Sequence, residues 1–423
     1  MRRRLRDLAK LAAIALQVGL VVVAVWQFRI ESRAFLHVAI LAFFGFLIHH
    51  VLPPSYRPPF FLLLSLTAIG LVFGASSGAW LVGSGLVLFG LCHLPLSFAR
   101  RVTILLMVGA ALAALRVEWI RTPVPTAIWP ILGSMFMFRL PAYLYDTRRE
   151  ELPAPVTQRL SYFFLLPNVC FPLFPVVDYK TFLRTYYSGD PYSTYQVGVH
   201  WMVRGVVHLI LYRVIYYHCT IAPSDVASAT DLARYMVSTF LLYLRISGQF
   251  HLITGMLHLF GFDLPETHHL YYFASSFTDF WRRINVYWKD FVTKLVYYPT
   301  LFRLRRWGET TAVILSTLFV FVMTWLLHSY QWFWLRGSFP LVWTDVLFWG
   351  ILGVLAAANA LYEVRQRRKR LARPDSWSLR GAAGRALRTS ATFVVICMLW
   401  SLWTAESVSE WTALWSFLGE TKR

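Results

Sequence analysis

Charge is scarce in this chain. Of its 423 residues only 15% are charged, whereas 57% are hydrophobic. A soluble protein carries roughly 25% charged residues, and a mean hydropathy of +0.52 leaves more apolar surface than so few charges can cover. Acidic side chains are scarcest, 21 against 41 basic ones, for a net charge of +20. The four cysteines (Cys92, Cys170, Cys219 and Cys397) stand singly in apolar stretches, and there is no C-x-x-C pair. Neither a disulfide framework nor a cysteine zinc site is indicated, and buried, inert thiols are expected. No period of 20–50 residues and no Gly/Ser- or Pro-rich linker is present, so the chain reads as one integral domain over 1–423. These absences exclude a disordered regulator, a secreted enzyme, a disulfide scaffold and a repeat array. The basic excess sits on no soluble module, so nucleic acid is not an expected partner. Arg and Lys collecting in cytoplasmic loops explain it better.

What the chain has is long apolar runs. A spanning helix needs about 20 apolar residues. Candidates fall at roughly 9–27, 34–52, 59–77, 79–98, 102–117, 124–145, 197–219, 232–262, 310–335, 341–362 and 388–405. The first begins with Arg2, Arg3, Arg4 and Arg6 like a signal peptide. However, its apolar run is long and Gln27-Phe28-Arg29 follows where small residues should precede cleavage, so it reads as a retained anchor. With the N-terminus in the cytoplasm, Arg100-Arg101, Arg148-Arg149 and the run from Arg365 to Arg373 all fall on the cytoplasmic side. The C-terminal stretch with Trp411 and Trp415 then lies outside. The fold expected is an all-α integral membrane protein with about eleven transmembrane helices.

Two stretches do not read as simple spans. Residues 160–180 carry Pro167, Pro172 and Pro175, which break a helix. Residues 273–306 mix Arg282, Arg283, Lys289, Lys294, Arg303, Arg305 and Arg306 with Phe280, Trp281, Tyr287, Trp288 and Phe291, too charged to cross lipid. Irregular backbone at membrane depth is tolerated where protein buries it or it lines a cavity. Both stretches are therefore expected as re-entrant or interfacial walls of a central chamber. The basic, aromatic stretch has two readings: anchoring to anionic lipid, or gripping a phosphate-rich ligand through charge-assisted bonds. The span 310–335 contains His328. An ionisable residue inside a span is costly and by default marks function. Its imidazole titrates near neutrality, as a general base should. The plain alternative is a neutral ring bonded to a backbone carbonyl.

Taken together, Phe280-Trp281-Arg282-Arg283, the polar Asn285 and the downstream intramembrane His328 resemble the membrane-bound O-acyltransferase (MBOAT) family. The similarity is closest to bacterial polysaccharide O-acetyltransferases of the alginate type. Those carry Gly-Phe-x-x-Pro-Glu-Asn before the Phe-Trp-Arg-Arg motif; this chain has Gly261 to Thr267, with Glu266 in place and Thr267 for the Asn. They carry Ser-Gly in the preceding helix, here Ser247-Gly248, and Trp-His-Gly followed by a Trp and a Gly, here Leu327-His328-Ser329, Trp332 and Gly337. The resemblance covers about 232–340. The chain departs from the pattern at Asn285, where many bacterial members have His. It departs again at Arg245 and His251, where the alginate type has acidic residues, and at Ser329.

The resemblance implies an MBOAT-like fold in the bacterial cytoplasmic (inner) membrane and acyl transfer from acyl-CoA to a hydroxyl acceptor. Acetyl-CoA is the expected donor, and a glycan or other extracytoplasmic molecule the expected acceptor. It implies His328 as general base and Asn285 orienting the thioester or donating to developing negative charge. Arg282 and Arg283, then Lys289, Lys294, Trp281 and Tyr298, would bind the donor. Trp332, Ser329, Ser247 and Glu266 would line the substrate chamber. Some similar proteins pass the acyl group to a separate exported acyltransferase, so such a partner is an open expectation. No metal is expected: His49-His50 and His268-His269, with His251, His258, Asp263 and Glu266, lack the flanking histidines of membrane di-iron enzymes. A lipid O-acyltransferase, a transporter or channel, and a catalytically dead scaffold of the same family are the competing readings. Repeated halves with interrupted helices, as transporters show, are not evident.

Overall fold

Hydroxyl and carboxylate caps mark where helices begin. Ser32, Ser97, Asp178, Ser228, Ser276 and Ser407 each accept a backbone N–H from the first turn that follows, satisfying a donor with no intrahelical partner. The computed structural model describes residues 2–148, 154–166, 177–370 and 379–418. Its helices are α1 (Arg2–Gln27), α2 (Arg33–Val51), α3 (Arg57–Cys92), α4 (Phe98–Arg116), α5 (Trp129–Ser134) and α6 (Leu140–Thr147). There follow α7 (Val156–Phe163), α8 (Tyr179–Arg184), α9 (Pro191–His218), α10 (Ala229–Leu241), α11 (Leu244–Leu259) and α12 (Phe277–Ile284). The last are α13 (Val286–Val292), α14 (Tyr298–Leu304), α15 (Glu309–Arg336), α16 (Trp343–Arg370), α17 (Leu379–Thr404) and α18 (Val408–Ala413). Among the described residues there is no sheet, only one isolated bridge between Tyr186 and Phe262.

Among the described residues seven helical stretches are long and apolar enough to cross a membrane: Leu5–Gln27, Arg33–Val51, Pro54–Cys92, Phe98–Arg116, Glu309–Arg336, Trp343–Gln366 and Gly381–Thr404. The chain is thus an all-α protein with the helices of an integral membrane protein.

Several expected spans take a different form. The runs near 59–77 and 79–98 form one named helix, α3, broken at Gly74, whose φ of 76° and ψ of 172° are not helical. A Cβ on Gly78 would lie 3.7 Å from the Cα of Gly70. A straight helix would separate those residues by about 12 Å, so the chain folds back at Gly74, in a backbone region open essentially to glycine alone. The run near 124–145 becomes α5, a π turn at Met135–Arg139, and α6. The run 232–262 is interrupted between α10 and α11. Residues 273–306 form short helices and turns, as their charge suggests. Pro167, Cys170, Pro172 and Pro175 lie outside the described residues, as do Arg149 and the end of the basic run at Arg373.

No linker interrupts the chain, yet it packs into two compact units. One comprises residues 1–210, 247–266 and 331–339; the other comprises 211–246, 267–330 and 340–423. In the first, α2 packs on α1 and α3, and α3 packs on α4, α5 and α7. Its segments of α9 and α11 approach through glycines. A Cβ on Gly205 would lie 2.7 Å from the carbonyl oxygen of Gly248, and one on Gly255 would lie 2.5 Å from that of Gly198. Small residues let the two backbones touch. In the second unit α10, α12, α16 and α17 enclose a core of Phe240, Tyr271, Phe280, Phe348, Leu352 and Trp400.

Candidate functional site

In the second unit, Phe280, Trp281 and Ile284 turn one face of α12 to the core, while Asp279, Arg282 and Arg283 turn the other outward. The helix is fastened at both ends. Ser276 caps it, and the N–H of Phe277 donates to Oδ1 of Asn359 at 2.8 Å. Beyond it, the N–H of His269 donates to the carbonyl of Arg283 (3.0 Å) and that of Val286 to the carbonyl of Thr267 (2.8 Å). The Tyr243 hydroxyl lies 3.1 Å from Nε2 of His268 and donates to the carbonyl of Ile284 at 3.3 Å. The Phe-Trp-Arg-Arg motif and Asn285 are therefore held against the 267–273 loop.

Asn285 sits at the break between α12 and α13 with φ −153° and ψ 88°, and its Oδ1 accepts the N–H of Trp288 at 3.1 Å. That cap fixes the start of α13 and so the place of Trp288. The Trp288 ring centroid is 5.5 Å from that of His328. Trp349 of α16 stacks on His328 at 5.0 Å with the planes 21° apart, and Trp403 of α17 meets it edge-on at 6.1 Å. Two of the indoles are themselves held. Trp288 Nε1 donates to Oγ1 of Thr324 at 3.3 Å, and Trp403 Nε1 to Oδ1 of Asp345 at 2.6 Å. His328 is half-buried. Among the described residues no hydrogen bond to its ring is seen, while Nε1 of Trp349, Nε1 of Trp325 and Oγ of Ser329 are buried without a partner. An imidazole with free lone-pair capacity thus lies among indole faces and unspent donors. Such a ring can accept a proton, and the neighbouring faces favour the cation that results.

The expected donor-binding cations are already paired. Arg282 bonds Glu363 at 2.7 Å, Arg283 bonds Asp279 at 2.7 Å, and Lys289 pairs with Asp290. Glu363 also accepts the hydroxyl of Thr278. Lys294 lies in the π turn Thr293–Tyr297. Trp281 packs 4.7 Å from Phe321, and the exposed Tyr298 stacks on Phe302 at 6.1 Å. Burial raises the Tyr297 phenol above its ordinary pKa.

Three residues expected in the chamber belong to the first unit instead. Ser247 is buried with its Oγ 2.9 Å from Nδ1 of His208. His251 stacks on Trp201 at 5.1 Å and meets His208 at 5.2 Å. Glu266 bonds Arg204 at 3.2 Å, and Arg204 lies over Trp201. Trp332 lies under the guanidinium of Arg336 at 4.0 Å. The remaining histidines are dispersed: His258 bonds the carbonyl of Thr254, and His49 meets the Tyr187 hydroxyl at 3.4 Å. The thiols of Cys92 and Cys397 are buried, whereas Cys219 is half-exposed.

The residues that the sequence reading did not single out are Trp349, Trp403 and Asp345. In a chain that is 17% aromatic a lone tryptophan carries no signal. No protein-family model matches this chain, and no curated protein matches it.

Proposed function

We propose that this chain is an integral-membrane acyltransferase that moves a short acyl group, acetyl in the first instance, from acyl-CoA to a hydroxyl of a glycan or other extracytoplasmic acceptor. The observation that carries the reading is the half-buried His328 ring, which has no hydrogen bond among the described residues, set among Trp288, Trp349 and Trp403. It joins the MBOAT-like order of motifs, in which Asn285 positions Trp288 and Trp288 meets His328. In this mechanism His328 takes the proton of the acceptor hydroxyl as that oxygen bonds to the thioester carbonyl carbon. Collapse of the tetrahedral adduct breaks the carbon–sulfur bond, and the departing thiolate takes the proton back from the imidazolium. Stacking of the transient imidazolium on Trp349 stabilises it by about 0.5–2 kcal/mol. The Nδ2 hydrogens of Asn285 and the unspent donors beside His328 are the groups that meet developing negative charge.

The eleven-span topology belongs to the same proposal. The two arms of α3, the run 129–147, α9 and the α10–α11 pair supply the crossings beyond the other six long apolar helices. The N-terminus and the basic clusters lie in the cytoplasm and the membrane is the bacterial inner one. An exported acyltransferase as a partner remains within the proposal as the route to a distant glycan.

The test uses the full chain in nanodiscs with radiolabelled acetyl-CoA and, as acceptors, an acid polysaccharide and a cell-envelope extract. Wild type is expected to label acceptor and release CoA. His328→Ala should keep its thermal midpoint and lose both by at least a hundredfold. Equal turnover by the two proteins would refute the role of His328.

A further inference from the structure

The polar groups of the first unit include one that nothing in the proposed reaction uses. Arg139 is 1% exposed, one of the largest fully buried side chains in the molecule. Its Nε and Nη2 are buried and have no hydrogen-bond partner among the described residues, and no carboxylate among them pairs with it. Three polar groups of the same unit bond partners other than Arg139. Asp146 Oδ2 accepts the N–H of Lys180 at 3.1 Å. Asp178 accepts the N–H and the hydroxyl of Thr181 at 3.1 and 2.6 Å. The Tyr162 hydroxyl donates to the carbonyl of Val177 at 2.9 Å. Taking an unpaired guanidinium out of water costs several kcal/mol, so a fold that keeps one needs something to repay it.

The local backbone adds a second observation. Arg139 ends the π turn Met135–Arg139, where the N–H of Leu140 bonds the carbonyl of Met135. A π turn closes each bond one residue later than an α turn and recurs at functional sites. In such a turn residues four and five apart face the same side of the helix. Five residues before Arg139 is Ser134, 4% exposed, whose Oγ is also buried without a partner among the described residues. The helical run 129–147 is ~28 Å long at 1.5 Å per residue, with Arg139 near its middle. On the eleven-span reading proposed above, which makes this run a span, a charge so placed is by default a functional hypothesis.

We infer that Arg139 and Ser134 form an oxyanion-binding site inside the first unit, taking a phosphate or carboxylate group through the guanidinium Nε and Nη2 and the serine hydroxyl. Its ligand is distinct from the reacting acyl group, and the site stands whether or not the chain transfers acyl groups. A fork of two parallel N–H donors matches the spacing of two oxygens on such a group. The oxyanion is either a free one or the headgroup of a lipid.

The experiment measures the thermal midpoint of the full chain in uncharged detergent. It titrates inorganic phosphate against chloride at constant ionic strength, then phosphatidylglycerol in mixed micelles, then oleate. A ligand that binds only the folded state raises the midpoint saturably. At least one series should raise the wild-type midpoint by several degrees. A response to inorganic phosphate identifies a free anion; a response to phosphatidylglycerol or oleate alone identifies a lipid headgroup. Arg139→Met should abolish the rise. Without ligand its midpoint should equal or exceed that of wild type, because a buried unpaired charge is gone. Should Arg139→Met not fold, Arg139→Lys keeps the charge without the fork and should weaken the apparent affinity at least tenfold; Ser134→Ala should weaken it less. A wild type that responds to none of the three, or an Arg139→Lys that binds as tightly as wild type, overturns the site. In the first case the arginine is satisfied by the chain itself.

Discussion

Asn285 has two jobs open to it, and they can be separated with one atom. Its Oδ1 caps α13 by accepting the Trp288 N–H at 3.1 Å; its Nδ2 is the half that the proposed reaction would use. Asp caps a helix as well as Asn does. Asn285→Asp should therefore leave the thermal midpoint within a degree or two of wild type. If the amide donates to developing negative charge, the same change should lower kcat by about 10²–10³. Asn285→Ala removes the cap as well, at about 1 kcal/mol, and should lower the midpoint. Radiolabel transfer measured beside the melting curves decides the matter: an Asn285→Asp protein with wild-type kcat would confine Asn285 to positioning Trp288. At this scale the sequence was half legible. His328 stood out because a lone ionisable group in an apolar run is rare. The indoles around it did not, because Trp349 and Trp403 reach it from two other helices and nothing local marks them. The ion pairs of Arg282 and Arg283 were equally hidden. Asp279 lies one turn from Arg283 and could be guessed, but Glu363 comes from α16.

How a helix pair packs is governed by how closely the backbones approach, and the pair α9–α11 shows it. Gly198 meets Gly255, and Gly205 meets Gly248, so the contacts run antiparallel with successive glycines seven positions apart on each helix. The approach seats Ser247 beside His208 and His251 beside Trp201. A methyl group at Gly205 would face the Gly248 carbonyl at 2.7 Å, and backbone cannot swing aside as a flexible side chain can. Gly205→Ala is therefore expected to cost about 1–3 kcal/mol by overpacking. Gly70 of α3 is the control: nothing lies within 4 Å of a Cβ there, so Gly70→Ala should be neutral or gain up to about 1 kcal/mol of helix propensity. Thermal midpoints in one detergent test both, and equal midpoints for the two variants would contradict the tight crossing. Gly74 is a third case, since its cost lies in the backbone alone: Gly74→Ala meets no neighbour yet must hold φ 76°, at about 1–3 kcal/mol. The seven-residue spacing was in the sequence. What was not is which helix would answer it, because glycine also breaks helices, as Gly74 does.

The whole chain carries +20, and where that charge goes fixes how the helices thread the bilayer. Composition alone made the membrane class legible, since seven long apolar helices follow from hydropathy and length. The division into two units was not legible, because each draws on three separated stretches and no linker separates them. Orientation lies between these extremes. An eleven-span count with a cytoplasmic N-terminus puts the Arg100-Arg101 end of α4 inside and the loop after Arg116 outside. It also puts the loop before α9 and the start of α17 inside, and α18 outside. Exposed positions report each: Ala99, Ser188 and Ala383 for the inside, Ile120 and Ser409 for the outside. Single cysteines would be introduced at these places in a chain whose native cysteines are replaced, beginning with the half-exposed Cys219. A membrane-impermeant maleimide added to intact spheroplasts should label Ile120→Cys and Ser409→Cys, and label the other three only after the membrane is opened. Ala99→Cys and Ile120→Cys matter most, because α4 alone separates them. Labelling of both from the same side would mean that α4 does not cross. Labelling of Ala99→Cys but not Ile120→Cys in intact spheroplasts would invert the molecule and carry the basic 273–306 stretch away from the cytosol, where acyl-CoA is found.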